Sequence, residues 1–162
     1  QDQRTAPKPA ENEPATPTRR PDGRSGRIAP QPGGRDPAPY QRQSFAAIDL
    51  GTNNCRLLIA RPQGENFVVV DAFSRVVRLG EGLAGSGRLS EAAMDRALGA
   101  LQVCAEKLKR RRVHLARSVA TEACRRAENG PEFIERVRRE TGIALDIISA
   151  KEEARLAVLE AK

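Results

Sequence analysis

Three apolar, β-rich runs joined by very short turns constrain this chain more than any other feature. "SFAAIDL" covers Ser44–Leu50, "CRLLIARP" covers Cys55–Pro62 after four residues, and "NFVVVDAF" covers Asn66–Phe73 after three. Turns of that length join only antiparallel neighbours, because a parallel connection needs a dozen residues or more. The spacing therefore predicts an antiparallel meander. Downstream the period changes. Ser90 has the side chain of an N-cap, with Leu89 and Met94 spaced as a hydrophobic staple. Met94, Leu98, Leu101, Cys104/Ala105 and Leu108 then recur at helical spacing, which predicts a helix over 91–112. "VHLARSVA" (Val113–Ala120) reads as a strand. Pro131 to Gly142 reads as a helix with its start and stop, "IALDIIS" (Ile143–Ser149) as a strand and 150–162 as a final helix. The order β-β-β-α-β-α-β-α implies a mixed sheet with helices on its faces.

Composition matters chiefly for what precedes Ser44. Residues 1–43 hold nine of the eleven prolines and four of the thirteen glycines. Segments such as "APKPAENEPATPTRRPDG" bury too little apolar surface to offset the entropy of ordering, so a disordered tail is expected there. The folding unit is then 44–162. Net charge is +7, of which +3 falls in the tail, and a basic surface suits polyanions. No aromatic-basic pattern of a single-strand binder is present, so nucleic acid is not the expected partner. No run approaches a membrane span and the tail has no signal-peptide core, so no membrane partner and a cytoplasmic location are expected. Cys55, Cys104 and Cys124, with the lone His114, fit neither a zinc pattern nor a disulfide framework and read as buried free thiols. "KRRR" (Lys109–Arg112) is either a basic patch or a solvated helix end whose cations suit the helix dipole.

Three places could carry chemistry. The first is "DLGTNN", where Asp49 ends a strand and Gly51, Thr52, Asn53 and Asn54 form the turn. Gly51 can adopt positive φ or permit close backbone approach, and successive N–H groups with the Thr and Asn side chains can cradle a phosphate. Asp49 would repel that phosphate unless a cation lay between them, which points to Mg2+ held largely through water. The same residues also make an ordinary hairpin turn. The second is "SAKEEARL". Ser149 and Glu152 have capping-box spacing, which leaves Glu153 unexplained, about 100° further round the helix. A carboxylate there could deprotonate an attacking water, or simply favour the helix N-terminus. The third is Arg125 in "ATEACRRAENG", just past a strand end, as a phosphate ligand or a surface charge. The glycine-rich "GEGLAGSG" lacks the strand-turn-helix context of a dinucleotide site, and P-loop, HExxH and GxSxG motifs are absent.

Taken in order, "AAIDLGTNNCRLLIA", "RLGEGLAGSGRLSEAAMDRAL", "ATEACRRAENGPEFIERVRRETG" and "LDIISAKEEARL" resemble the N-terminal part of the exopolyphosphatase/guanosine pentaphosphate phosphohydrolase (Ppx/GppA) family. The resemblance covers about Ser44 to Leu159. It implies an actin-like, ribonuclease-H-like fold of two similar α/β domains with a cleft between them, of which this chain matches the first. It implies Mg2+-dependent hydrolysis of a terminal phosphate from inorganic polyphosphate or guanosine pentaphosphate, and it admits a homodimer of the full-length protein. By position, Asp49 falls on the metal side, Gly51, Thr52, Asn53 and Asn54 around phosphate, Arg125 on substrate, and Glu153 on the catalytic glutamate. A second phosphate motif of the DIGGGS type lies further downstream in the family and has no counterpart before Lys162. The chain also begins at Gln1 and stops inside an expected helix, so a truncated domain, inactive by itself, is expected. The alternative reading is a non-catalytic module binding RNA or polyphosphate through the tail and Lys109–Arg112. An actin-fold kinase would share the same phosphate turn.

Overall fold

Alternation along the first strands decides where the core lies. The structure is a computed structural model that describes residues 42–160, so the expected tail lies outside the described residues apart from Arg42 and Gln43. In β1 (Ser44–Leu50), Ala46, Ile48 and Leu50 are buried, while Ala47 and Asp49 lie on the opposite face and are exposed. β2 (Asn54–Gln63) pairs antiparallel with β1, Phe45 opposite Ala60 and Leu50 opposite Cys55. Cys55, Leu57 and Ile59 thereby join the same buried face. β3 (Asn66–Val76) closes the meander through a turn in which Gly64 takes φ 62°, a left-handed conformation that glycine adopts without a Cβ penalty.

α1 (Leu83–Ser86) is a single turn between left-handed Gly82 and Gly87. α2 (Glu91–Arg110) then crosses the buried face. The Ser90 hydroxyl accepts from the Ala93 N–H at 3.2 Å, the expected N-cap, and Leu89 and Met94 are both buried. Ala93, Ala97, Ala100 and Cys104 interleave with Met94, Leu98 and Leu101 as one apolar stripe against the sheet. The chain returns as β4 (Val113–Ala120), parallel to β1 with Leu50 beside Ala120. α3 (Glu122–Arg126) and α4 (Gly130–Thr141) follow. Pro131 stands in the first turn of α4 and left-handed Gly142 caps its C-terminus, as the sequence predicts. Asn129 precedes α4 without capping it, because its side chain is used elsewhere. Its Nδ2 donates to the Leu89 carbonyl at 3.0 Å and its Oδ1 accepts from the Leu89 N–H at 2.8 Å, tying the α3–α4 corner to the start of α2.

β5 (Asp146–Ile147) and α5 (Ala150–Glu160) complete the described chain, and the sheet order is β3-β2-β1-β4-β5. This is the mixed sheet with helices that the element order implied, with two short helices, α1 and α3, added. One expected element is shorter than its hydrophobic run. Ile143, Leu145 and Ile148 are buried, but only Asp146 and Ile147 pair with β4. Burial of these three side chains anchors the stretch, and the ladder itself is confined to two residues.

The basic end of α2 is neither a free patch nor merely a solvated helix terminus. Lys107 Nζ and Arg111 Nε donate to the Asp71 carboxylate at 3.0 and 3.1 Å, fastening the helix to β3. These two hydrogen bonds hold the Asp71 carboxyl at about 2, below its usual 3.8. All three cysteines are free and buried, as expected. The Cys55 and Cys104 side chains hydrogen-bond to each other, which raises the Cys55 thiol and lowers that of Cys104. Burial pushes Cys124 up to about 12.

Candidate active site

The C-terminal ends of β1, β4 and β5 lie along one edge of the sheet, because β1, β4 and β5 run parallel. Two backbone bonds stitch that edge together: the Thr121 N–H donates to Leu50 O and the Ile148 N–H to Ala120 O, each at 3.1 Å. Ligands of parallel α/β sheets bind outside the carboxyl ends of the strands, so the loops leaving this edge are where chemistry is expected. They are the Gly51–Asn54 turn, Thr121 with α3, and Ser149 with α5.

The turn closes through the Gly51 N–H to Asn54 O at 2.9 Å. Gly51 itself has no positive φ, and a Cβ there would meet Asn54 O at 3.5 Å and Thr121 Oγ1 at 3.8 Å, ordinary contacts. Neither a positive φ nor a close approach, the two uses open to Gly51, is taken up here. The shape is imposed from outside by the 77–80 segment. Val77 and Arg78 N–H groups donate to Asn53 O at 2.8 and 3.0 Å, and the Gly80 N–H donates to Thr52 O at 3.0 Å. A Cβ on Gly80 would overlap Thr52 Cγ2, so only glycine lets this clasp close with the Thr52 side chain where it stands. With the Thr52 and Asn53 carbonyls occupied, the turn turns its acceptors away from its tip. Among the described residues the Thr52 and Asn53 N–H groups take no part in these bonds. Exposed Thr52 and Asn53 therefore offer donors at the sheet edge, the polarity an anion requires. This clasp was invisible to sequence reasoning, although its glycine-rich "RLGEG" was the available signal.

Arg125 and Glu153, from different helices and both distant in sequence from the turn, are brought together. Arg125 Nη1 donates to Ile148 O at 2.7 Å and stands 3.6 Å from Glu153 Oε2. Both side chains are part-exposed, at 29% and 43%. Both contacts use one nitrogen of a guanidinium that carries five N–H donors, so Arg125 keeps capacity for an anion. The capping box is half formed. The Ser149 hydroxyl accepts from the Glu152 N–H at 3.2 Å, but the Glu152 carboxylate pairs with Arg117 at 2.9 Å instead of reaching back to the cap. Neighbouring glutamates on one helix thus face different partners.

Asp49 is exposed on the face of β1 away from α2, beside Arg56 on β2 and Val119 on β4. It lines a depression of about 710 Å3 with Arg56, Ser74, Arg117 and Leu156. A second, of about 690 Å3, is lined by Arg117, Ser149, Glu152 and Arg155 among others. Neither is lined by Gly51–Asn54, Arg125 or Glu153. The turn and the Arg125–Glu153 pair are instead presented at an open edge. No described helix is long and apolar enough to cross a membrane.

A mixed-sheet α/β domain that carries its polar turn, arginine and glutamate at the strand ends has close counterparts of known structure. A family member from Aquifex aeolicus, solved in a structural characterisation of Ppx/GppA proteins, is 33% identical over 70% of this chain and 37% of its own, with TM-score 0.68. An exopolyphosphatase from Cytophaga hutchinsonii is 32% identical over 70% of this chain and 36% of its own, with TM-score 0.68. This chain therefore spans little more than a third of the length of these two solved structures. The model of the Ppx/GppA phosphatase family matches residues 58–161. The chain belongs to the Ppx/GppA phosphatase family.

Proposed function

We propose that the protein hydrolyses a terminal phosphoanhydride bond, with inorganic polyphosphate or guanosine pentaphosphate as substrate and Mg2+ as cofactor. The observation that carries this reading is the 3.6 Å pairing of Arg125 with Glu153 at the sheet edge from which the Gly51–Asn54 turn also projects. Family membership supports it. In this reading the Glu153 carboxylate orients a water and takes its proton as the oxygen attacks phosphorus. Arg125, 3.6 Å from Glu153, would both position that carboxylate and meet the charge of the transferring group. The Thr52 and Asn53 N–H groups, with the Thr52 hydroxyl and the Asn53 and Asn54 amides, receive phosphate oxygens.

The donor set fits Mg2+ better than a metal that needs a full protein cage. Among the described residues no cluster of three His, Cys, Asp or Glu could hold a metal, and Mg2+ is commonly held by one or two carboxylates with water and substrate phosphates. Asp49 would hold it, and the ion would supply neutralisation of the phosphate charge. The competing polyanion-binding reading loses part of its support, since Lys107 and Arg111 at the basic helix end are engaged by Asp71.

The test is phosphate release by the full natural polypeptide that carries this chain, from both substrates, with Mg2+ and with EDTA. Release is expected to need Mg2+ and to fall by roughly 10^2 or more in Glu153→Gln, the scale of a lost general base. Unchanged release in that variant would make Glu153 an ordinary helix-end charge. No release, with salt-sensitive binding of either polyanion, would favour the binding module.

A further inference from the structure

Among the described residues only two non-glycine residues have positive φ, Arg78 and Arg112, each at 49°. Arg112 has an ordinary cause. It follows Arg111, the C-cap of α2, where helices commonly turn left-handed. Arg78 has no helix before it. It lies two residues past the end of β3, in the clasp that shapes the Gly51–Asn54 turn. A left-handed arginine persists only where its surroundings over-determine it, and such residues cluster at functional sites.

The surroundings are well defined. The Arg78 N–H donates to Asn53 O at 3.0 Å, and its carbonyl accepts from the Glu81 N–H at 3.1 Å and from Arg96 Nη2 at 3.2 Å. Arg96 Nε also donates to Val77 O at 2.8 Å. Val77 and Leu79 on either side are fully buried, so the residue between them is fixed in place and is itself exposed. The nearest carboxylate in sequence, Glu81, is already paired with Arg96. Among the described residues Arg78 belongs to no ion pair, whereas Arg88 and Arg96 do. The chain thus holds a left-handed arginine, in no ion pair among the described residues, one hydrogen bond from the backbone of the phosphate turn.

We propose that Arg78 binds substrate, holding the phosphate adjacent to the one seated on the Gly51–Asn54 turn. This rests on the hydrolase reading given above and deepens it. A chain of anhydride-linked phosphates carries charge on each unit, so one arginine at the reacting phosphate leaves its neighbour unmatched. A planar guanidinium matches two oxygens of that neighbour with parallel N–H bonds, which a lysine cannot do. Both inorganic polyphosphate and the triphosphate end of guanosine pentaphosphate present this group, so the shared ligand is the second phosphate of a phosphoanhydride chain.

The positive φ makes a discriminating experiment available, because glycine accepts that backbone without strain. Arg78→Gly, Arg78→Asn (a residue that also tolerates the left-handed region) and Arg78→Lys would be made in the full natural polypeptide. Urea unfolding and steady-state phosphate release from each substrate would be measured beside Glu153→Gln. Arg78→Gly and Arg78→Asn are expected to unfold no more easily than the parent while KM rises roughly 10- to 100-fold, the range for losing charge-assisted hydrogen bonds. Arg78→Lys should recover only part of that loss. A rise with one substrate alone would assign the contact to that substrate and uphold the inference. Unchanged KM and kcat in Arg78→Gly and Arg78→Asn, with Glu153→Gln inactive, would overturn the role of Arg78 and leave the hydrolase reading standing. An inactive parent protein would overturn both.

Discussion

A methyl group added at Gly80 would overlap Thr52 Cγ2, and one added at Gly130 would overlap the carbonyl oxygen of Cys124. The two clashes differ in what can yield. Thr52 is exposed and can change rotamer, whereas a backbone carbonyl inside the α3–α4 corner cannot rotate away. Gly80→Ala is therefore expected to cost little stability, under about 1.5 kcal/mol, while displacing the Thr52 hydroxyl from the phosphate turn. Gly130→Ala should destabilise by about 1–3 kcal/mol or more, as overpacking does, because Phe133 and Val137 in the same helix are fully buried. Urea unfolding separates the pair, with Gly80→Ala further distinguished by weaker Mg2+-dependent phosphate release. Equal loss of stability in both would show that the clasp is a folding element and not a shaper of the turn. At this scale the sequence was informative where a side chain acts by itself. Glu153 stood out because Glu152 was accounted for by the cap, although the structure gives Glu152 to Arg117. Gly51 takes no positive φ, and turn composition could not reveal that the conformation is imposed by residues 77–80.

At the scale of elements, the contact between α2 and β3 depends on a carboxylate. Asp71 sits 12% exposed among Lys107, Arg110 and Arg111, three residues at the C-terminal end of α2. Hydrogen bonds from Lys107 and then Arg111 hold its folded-state value at about 2, against an ordinary 3.8. A group depressed on folding contributes stability that is fully present above its unfolded value and is lost as pH falls through the folded one. Urea midpoints should therefore drop as pH falls from about 4 to about 2, and Asp71→Asn should lower the midpoint near pH 6 and flatten that drop. An unaltered acid limb in the variant would move the effect to other carboxylates. Elements long enough to show their own period, such as the meander strands and α2, were legible in the sequence. The turns of helix in α1 and α3, four and five residues long, were not, since they are set by caps and neighbours rather than by an apolar stripe. The run 143–149 reported burial correctly but not pairing, which depends on how far β4 extends beside it.

The whole molecule assembles its candidate site only when distant parts of the chain are in register. The turn comes from the β1–β2 hairpin, Arg125 from α3 and Glu153 from α5, and they share an edge because β4 inserts parallel to β1 and β5 follows parallel to β4. A mixed sheet was readable from element order, but the place of β4 beside β1 and the clasp of residues 77–80 on the turn were not, because no local pattern encodes them. A ligand that bridges these parts binds the folded chain and not the unfolded one, so it must stabilise the fold by mass action, about 2.7 kcal/mol at a hundredfold excess over Kd. Tripolyphosphate with Mg2+ is thus expected to raise the Tm of the 162-residue chain by several degrees beyond the effect of sodium chloride at equal ionic strength. The net charge of +7 would produce some stabilisation with any polyanion, and added salt would erase that component. What distinguishes a built site is the remainder: it should require Mg2+ and be lost in Asp49→Asn, a near-isosteric change of a side chain exposed on the face of β1 away from α2. A rise that is indifferent to both Mg2+ and Asp49 would mean that the basic surface alone holds the polyanion.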